Sequence, residues 1–221
     1  MRPNADGGDA LDLTDFVGPS GNATDKYGAG NPLTRFLLGR FLDEIDASLR
    51  AAKPSSILDV GCGEGVVTER MATVTTAPTT GVDLGDEGLR REWSRREKPG
   101  NLTFRAASAY DLPFDDGAFD CVCALEVFEH LERPREGLAE LARVACRTLI
   151  LSVPREPIWR IVHVLAGRDL RSLGNTPGHV NHWSAGGFER LVSEFASVTH
   201  VRRPFPWTLV VARTDAVSVS S

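Results

Sequence analysis

Short apolar runs alternate with longer amphipathic stretches along most of this chain. Five runs have the length and apolar character of buried parallel strands, at 57–60, 79–84, 102–107, 119–125 and 148–153. Apolar residues recur at helical spacing before, between or after these runs. The predicted helices begin at Pro32, Val66 and Glu87, and two more helical segments cover 126–145 and 188–195. Two last runs, 198–203 and 207–213, predict a terminal strand pair. This alternation predicts an α/β domain built on a mostly parallel sheet.

Three segments fall outside that alternation. Residues 1–30 are rich in Gly, Asp, Asn and Pro without a sustained period, which predicts a flexible N-terminal segment or a lid. Residues 155–182 interrupt the pattern and predict an insertion over the carboxyl edge of the sheet, where it shapes a substrate pocket. Residues 214–221 are predicted to be a disordered tail. Residues 31–213 then form one domain, with 155–182 as its insertion.

A glycine-rich loop follows the first predicted strand, in the sequence ILDVGCGEG from Ile57 to Gly65. Glycines at alternate positions end the strand, allow a tight turn and let a ligand approach the backbone closely. The second predicted strand ends at Asp83, about 20 residues beyond the glycines, which is where a ribose-binding carboxylate is expected. One carboxylate can accept hydrogen bonds from both ribose hydroxyls. The two strand ends therefore predict a site for a nucleoside-containing cofactor.

The motifs ILDVGCGEG, VDL and LPFDDGAFD, in this order, resemble those of class I S-adenosylmethionine-dependent methyltransferases, and the resemblance covers about residues 30 to 213. It implies a Rossmann-like fold: a seven-stranded, mostly parallel sheet with the last strand antiparallel and helices on both faces. It also implies S-adenosylmethionine as cofactor. Carried over by position, Asp59, Gly61 and Gly63 hold the methionine part, and Cys62 between the two glycines also contacts the cofactor. The ribose contacts Asp83 and Leu84, adenine contacts Ser108 and Ala109, and Leu125 lies beside the sulfonium. Ser108 stands where this family commonly has an acid.

The stretch LEVFEHL, from Leu125 to Leu131, carries the candidate chemistry. Glu126, Glu129 and His130 are spaced i, i+3 and i+4, so on a helical turn all three point to one side. The stretch resembles the metal-binding turn of ubiquinone-biosynthesis O-methyltransferases and of small-RNA 2′-O-methyltransferases, in which a later histidine is also found. The sequence GHVNHWS offers His179 or His182 for that role.

Two hypotheses for the chemistry follow from this turn. In one, Glu126, Glu129, His130 and His179 bind Mg²⁺ or another divalent cation, which lowers the pKa of an acceptor hydroxyl. In the other, His130 or His179 is a metal-free general base, as in relatives whose Glu-His-Leu turn binds no metal. The candidate catalytic residues are His130, His179 and Glu129.

Charge and aromatic content narrow the choice of acceptor. The chain has 221 residues, 25 Lys and Arg against 30 Asp and Glu, and a formal net charge of -5, so nothing favours a long nucleic-acid partner. The expected acceptor is a hydroxyl of a small molecule, phenolic, catechol-like or a secondary metabolite. Four aromatic residues are candidates to line its pocket, with the core as the alternative place for each: Trp159, Trp183, Phe205 and Trp207. The alternatives are 2′-O-methylation of small RNA and non-catalytic binding of S-adenosylmethionine.

The remaining expectations concern location and assembly. No run of 18 apolar residues and no charged-then-apolar leader occurs, and the four cysteines form no CxxC pair. These features predict a cytoplasmic protein without a membrane segment. We expect a monomer or a homodimer.

Overall fold

The computed structural model describes residues 32–95, 98–156 and 180–214. Its strands are β1 (Ile57–Val60), β2 (Thr79–Asp83), β3 (Leu102–Ala106), β4 (Phe119–Leu125), β5 (Ala145–Pro154), β6 (Ser197–Arg202) and β7 (Trp207–Arg213). Its helices are α1 (Pro32–Ala52), α2 (Val66–Thr75), α3 (Glu87–Arg95), α4 (Pro134–Val144) and α5 (Ala185–Ser193). Every predicted strand is confirmed, with β5 beginning three residues earlier than the apolar pattern indicates.

The seven strands form one sheet in the order β3-β2-β1-β4-β5-β7-β6. Strands β1 to β5 are parallel, and β7 is antiparallel to both of its neighbours. The predicted mostly parallel sheet with an antiparallel last strand is therefore confirmed. The strand order reverses between β1 and β4, and in open α/β sheets ligands bind beyond the carboxyl ends of the strands at such a point.

Helices cover both faces of the sheet, and each face has its own apolar core. Phe41 and Ile45 of α1 pack with Met71 of α2 on one face. Leu138 of α4 and Phe188 of α5 pack on the other. The central strands are buried on both sides because their side chains alternate between these two cores. Burial of each large apolar side chain contributes roughly 1.5–3 kcal/mol to the free energy of unfolding. The two cores therefore fix the central strands, whose carboxyl ends lie along the same edge of the sheet.

The segment between β4 and α4 matches the prediction in its second part and differs in its first. The helical pattern predicts a helical segment over 126–145 with Pro134 near the start of its main helix, and α4 begins at Pro134. Residues 126–133, by contrast, form no helix. Glu126 has a left-handed backbone, with φ of 59°, and the His130 N–H donates to the Val127 carbonyl to close a single turn. A proline also disfavours helical backbone in the residue before it. The predicted helical turn over 126–130 is wrong, so i, i+3, i+4 spacing does not place its three polar side chains together.

Several expectations concern residues outside the described ranges. They include the N-terminal segment 1–30, residues 157–179 of the insertion with Trp159 and His179, and the tail from residue 215. None of the helices that the structure describes is long and apolar enough to span a membrane.

Candidate active site

The carboxylate of Asp83 is tied to the glycine loop across the sheet edge. The Gly61 and Cys62 N–H groups donate to the Val82 carbonyl at 2.8 and 3.0 Å, which places the loop beside the end of β2. The Gly63 N–H donates to Asp83 Oδ2 at 2.9 Å, and the Leu84 N–H donates to Oδ1 at 2.7 Å. Since each carboxylate oxygen has two acceptor positions, both oxygens keep one for ligand hydroxyls.

The glycine loop is closely packed at one glycine and open at another. A Cβ added at Gly61 would lie 2.4 Å from Val127 Cγ2, so the backbone there touches the turn after β4. A Cβ added at Gly63 would meet no atom within 4 Å. Leu84, next to Asp83, is 76% exposed. An open backbone cradle between a fixed carboxylate and an exposed apolar side chain fits the ribose and adenine of the expected cofactor.

Asp59 lies at the base of the loop and is only 3% exposed. The Thr68 hydroxyl donates to its Oδ2 at 2.7 Å. Burial raises the pKa of Asp59 from 3.8 to about 7; the Thr68 bond opposes this rise, and the negative charge of Asp83 adds to it. Because a nearby cation favours the ionised carboxyl, Asp59 is suited to face a positively charged group.

Trp93 supports the loop from α3, although the sequence pattern does not single it out. Its indole Nε1–H donates to the Gly63 carbonyl at 2.8 Å, and its ring stacks on Phe104 with centroids 5.4 Å apart. The sequence 87–97 is typical of a polar, solvated helix because most of its residues are charged. The one tryptophan in this polar helix could have indicated a buried contact, since a buried indole normally finds a hydrogen-bond acceptor.

Ser108 and Ala109 follow β3, on the far side of β2 from the glycine loop. The adjacent Ala107 N–H donates to the Asp83 carbonyl at 2.8 Å, so these residues come next to the Asp83 strand end. The Ser108 hydroxyl accepts from the Tyr110 N–H at 3.2 Å. The oxygen expected to accept from adenine thus already has one donor, and the assignment of Ser108 to adenine stays a prediction.

Glu126 faces β5 and β7 and is 9% exposed. The Trp207 Nε1–H donates to its Oε2 at 2.9 Å, and the Ser152 hydroxyl donates to its Oε1 at 3.3 Å. Within the described ranges no group of three or more His, Cys, Asp or Glu side chains could hold a metal ion. His179 lies outside those ranges. Metal binding by Glu126, Glu129, His130 and His179 therefore stays a prediction. The Glu126 carboxylate already accepts hydrogen bonds from other side chains through both of its oxygens.

Of the four aromatic residues that are candidates to line the pocket, Trp207 is instead a core residue. Trp207 is 2% exposed and stacks on Phe41 with centroids 4.6 Å apart. Trp183 lies 5.6 Å from the Phe188 ring and donates to the Phe128 carbonyl. Each indole packs on an internal ring and donates to an internal acceptor, and Trp183 keeps part of its surface exposed, so its place in the pocket stays a prediction. Phe205 is exposed, as a pocket residue would be.

Residues 180–183 bind the turn that carries Glu129 and His130. The Val180 and Asn181 N–H groups donate to the Glu129 carbonyl at 2.8 and 3.1 Å. The Asn181 side chain donates to two further carbonyls of the same turn. His182, the alternative metal ligand, instead lies 3.6 Å from Glu156 through its Nδ1. The sequence draws attention to the two histidines and not to the asparagine between them.

The order of the elements places the exposed large apolar side chains of the described chain toward the carboxyl ends of the parallel strands. They are Phe36, Leu84, Val180 and Phe205. Leu84 follows β2, and Val180 binds the turn after β4. Phe205 follows β6. Because β7 is antiparallel to both β5 and β6, β6 runs in the same direction as β5. Phe36 is near the start of α1, whose other end precedes β1. These strand ends also carry Asp83 and the glycine loop.

Comparison with known proteins identifies both a domain and a fold. Residues 58–148 match a family model described as a methyltransferase domain. The O-methyltransferase cnsE of Penicillium expansum is 35% identical over 108 residues, which are 48% of this chain and 39% of that protein. The chain thus matches well under half the length of this curated relative.

Solved structures show the same fold at low identity. Magnesium protoporphyrin IX methyltransferase from Synechocystis PCC 6803, with bound SAH, superposes with a TM-score of 0.62 at 21% identity, covering 84% of this chain and 88% of that one. The [4+2]-cyclase SpnF superposes with a TM-score of 0.61 at 18% identity, covering 79% of each chain. A cyclase shares this fold, so the fold alone does not decide the reaction. Residues 58–148 thus match a methyltransferase domain, and the described chain around them has the fold of the methyltransferases among these solved structures.

Proposed function

We propose that this protein transfers a methyl group from S-adenosylmethionine to a hydroxyl of a small, apolar acceptor. The observation that carries the proposal is the Asp83 carboxylate, held by the Gly63 amide beside an open glycine loop. That arrangement leaves two acceptor positions for ribose hydroxyls. The name of the Penicillium relative supports a hydroxyl as the methylated group.

The chain's own residues account for recognition of the cofactor. When bound, S-adenosylmethionine supplies a methyl group on a positively charged sulfur. Asp83 accepts hydrogen bonds from the ribose hydroxyls. Leu84 offers an exposed apolar surface to adenine, and Ser108 and Ala109 lie beyond it. Asp59, whose pKa burial raises to about 7, ionises fully when an ammonium group binds near it. Recognition of a cationic amino acid moiety therefore uses a carboxyl that is costly to ionise in the free protein.

The acceptor is proposed to be apolar because of what surrounds the site. Exposed hydrophobic side chains beside a cofactor site can form part of a binding surface. The order of the elements places Phe36, Val180 and Phe205 toward the same strand ends as the cofactor loop. The formal net charge of -5 opposes RNA, which proteins bind largely through cationic side chains. A phenolic, catechol-like or other secondary metabolite fits this surface better than a small RNA does.

For removal of the acceptor proton we favour His130 as a metal-free general base. A neutral imidazole can take the proton as the hydroxyl oxygen attacks the methyl carbon. The hydrogen bonds of Glu126 to Trp207 and Ser152 support this alternative, since they engage the carboxylate that metal binding would need. The metal alternative, which follows from the resemblance to ubiquinone-biosynthesis O-methyltransferases, uses Glu126, Glu129, His130 and His179.

The proposal is tested by binding and turnover together. Calorimetric titration with S-adenosylhomocysteine is expected to show binding to the wild type and at least tenfold weaker binding to Asp83→Asn, because each lost charge-assisted hydrogen bond costs about 1.5–3 kcal/mol. Labelled methyl transfer is then measured with phenols, catechols, aliphatic alcohols and a short RNA. Binding without transfer to any of these acceptors would favour a non-catalytic S-adenosylmethionine-binding protein.

A further inference from the structure

Five hydrogen bonds join residues 180–183 to the turn after β4. Two backbone amides, those of Val180 and Asn181, donate to the Glu129 carbonyl. Two more bonds come from Asn181 Nδ2, and the fifth comes from Trp183 Nε1 at 3.3 Å from the Phe128 carbonyl. The donors come from the chain that precedes α5, and the acceptors are backbone carbonyls of residues 128, 129 and 131. The contact therefore restrains the backbone of the turn and does not depend on which side chains the turn carries.

The Asn181 side chain makes the two bonds that bracket the turn. Its Nδ2 lies 3.1 Å from the Phe128 carbonyl and 2.5 Å from the Leu131 carbonyl. These carbonyls flank Glu129 and His130. A carboxamide suits this position because one nitrogen carries two N–H donors, whereas a carboxylate of the same shape carries none. Loss of both donors would leave the partly buried Leu131 carbonyl without this partner, at about 1–3 kcal/mol, whereas the Phe128 carbonyl keeps its bond from Trp183.

The turn needs such external support because its own backbone is irregular. It begins at Glu126 in left-handed conformation and ends before Pro134, so no continuous helical ladder runs through it. On its inner side Val127 touches the glycine loop at Gly61. Residues 180–183 hold its other side. The position of His130 relative to the cofactor loop is thus set between a packing contact and this set of hydrogen bonds.

We propose that Asn181 is a positioning residue for methyl transfer: it holds the turn so that His130 faces the reacting atoms. This inference rests on the proposed methyltransferase function. Displacement of a reacting group by about 1 Å can lower the rate on the order of 100-fold. Disturbing Asn181 should therefore affect the chemical step more than the binding of the cofactor.

A second asparagine provides a matched control for the test. Asn101 Nδ2 also donates to two backbone carbonyls, those of Ala72 and Ala77, both at 2.9 Å. It bridges the end of α2 to the start of β2, at the opposite edge of the sheet. Asn101→Asp and Asn181→Asp thus remove the same two donors from partly buried sites. They differ in distance from the proposed chemistry.

The experiment compares kcat, acceptor KM, S-adenosylhomocysteine affinity and urea midpoint for the two variants. We expect both midpoints to fall, a kcat at least tenfold lower only in Asn181→Asp, and cofactor affinity within about twofold of wild type in both. Trp183→Phe, which removes one bond to the same turn, is the milder second variant, and its kcat is expected to fall about threefold. Equal kcat in the Asn181 and Asn101 variants would overturn the proposal.

Amide hydrogen exchange separates failure of this inference from failure of the proposed function. In Asn181→Asp, the amides of His130 and Val180 should exchange at least tenfold faster than in wild type, while Asn101→Asp leaves them unchanged. This readout needs no acceptor. If no acceptor is methylated, the proposed function fails, and unchanged exchange at these amides would still refute the role of Asn181 in holding the turn.

Discussion

Replacing Asp59 by asparagine tests how burial beside the glycine loop affects stability and cofactor binding. The pKa of Asp59 is raised from 3.8 to about 7 in the folded protein, chiefly because the carboxyl is buried. Between these two values the folded state binds more protons than the unfolded state. The free energy of unfolding therefore falls as the pH rises through this window.

The size of the effect follows from the shift in pKa. Each pKa unit corresponds to about 1.4 kcal/mol, so ionising Asp59 costs at most about 4 kcal/mol above neutral pH. At about pH 5 the folded carboxyl is still protonated, whereas the unfolded one is already largely ionised. The loss of folding stability at this pH is therefore only between about 1 and 2 kcal/mol. Asparagine has no proton to lose, and its side-chain oxygen can still accept from Thr68. Asp59→Asn should stabilise the free protein at about pH 8 by roughly 2–3 kcal/mol more than at about pH 5.

Urea unfolding of wild type and Asp59→Asn at the two pH values measures this difference directly. Asp43→Asn is the control, because the Asp43 side chain is 74% exposed and its replacement should change stability by less than about 0.5 kcal/mol at either pH. The same Asp59 variant should bind S-adenosylhomocysteine at least tenfold more weakly, because the charge that meets the cationic group is gone. Identical pH dependence of wild type and Asp59→Asn would refute the burial argument.

Three further predictions concern the loop, the proton acceptor and the metal alternative. Trp93→Phe keeps a ring in place but removes the donor to the Gly63 carbonyl. It should lower the free energy of unfolding by about 1 kcal/mol and weaken S-adenosylhomocysteine binding severalfold in calorimetry. Unchanged binding would mean that Trp93 does not support the loop. His130→Gln should lower kcat about 100-fold or more with cofactor affinity unchanged, while His200→Gln, in an exposed residue of β6, should have no effect. Thorough chelation should leave wild-type turnover undiminished, and its loss would instead favour a metal site that includes Glu126.

Most of the fold could be predicted because its signals are local. Ile57 to Val60 form an apolar run closed by glycines, and Phe119 to Leu125 are apolar on both faces. Such patterns specify buried parallel strands without knowledge of distant residues. Asp83 was predictable for the same reason, since its spacing from the glycine loop lies within one β-α-β unit. Its bond to Gly63 confirms that the two elements meet.

The errors arise where distant residues decide the local conformation. The spacing of Glu126 indicates a helical turn, but its carboxylate accepts from Trp207, 81 positions away in sequence. The same bond explains why Trp207 is a core residue and not part of an open pocket. Asn181 binds a carbonyl 53 positions earlier, at Phe128. No periodicity within either segment reports such pairs, because they form only after the sheet brings β4, β7 and residues 180–183 together.

The central claim is that the sheet edge holding Asp83 binds S-adenosylmethionine and promotes transfer of its methyl group to an apolar hydroxyl acceptor. The most direct measurement is transfer of a labelled methyl group to the acceptor panel, made side by side with wild type and Asp83→Asn at subsaturating cofactor. The account predicts transfer to at least one phenolic or other apolar hydroxyl compound, with kcat/KM for the cofactor at least tenfold lower in the variant. Equal transfer by both proteins, or transfer by neither with cofactor bound to the wild type, would contradict it.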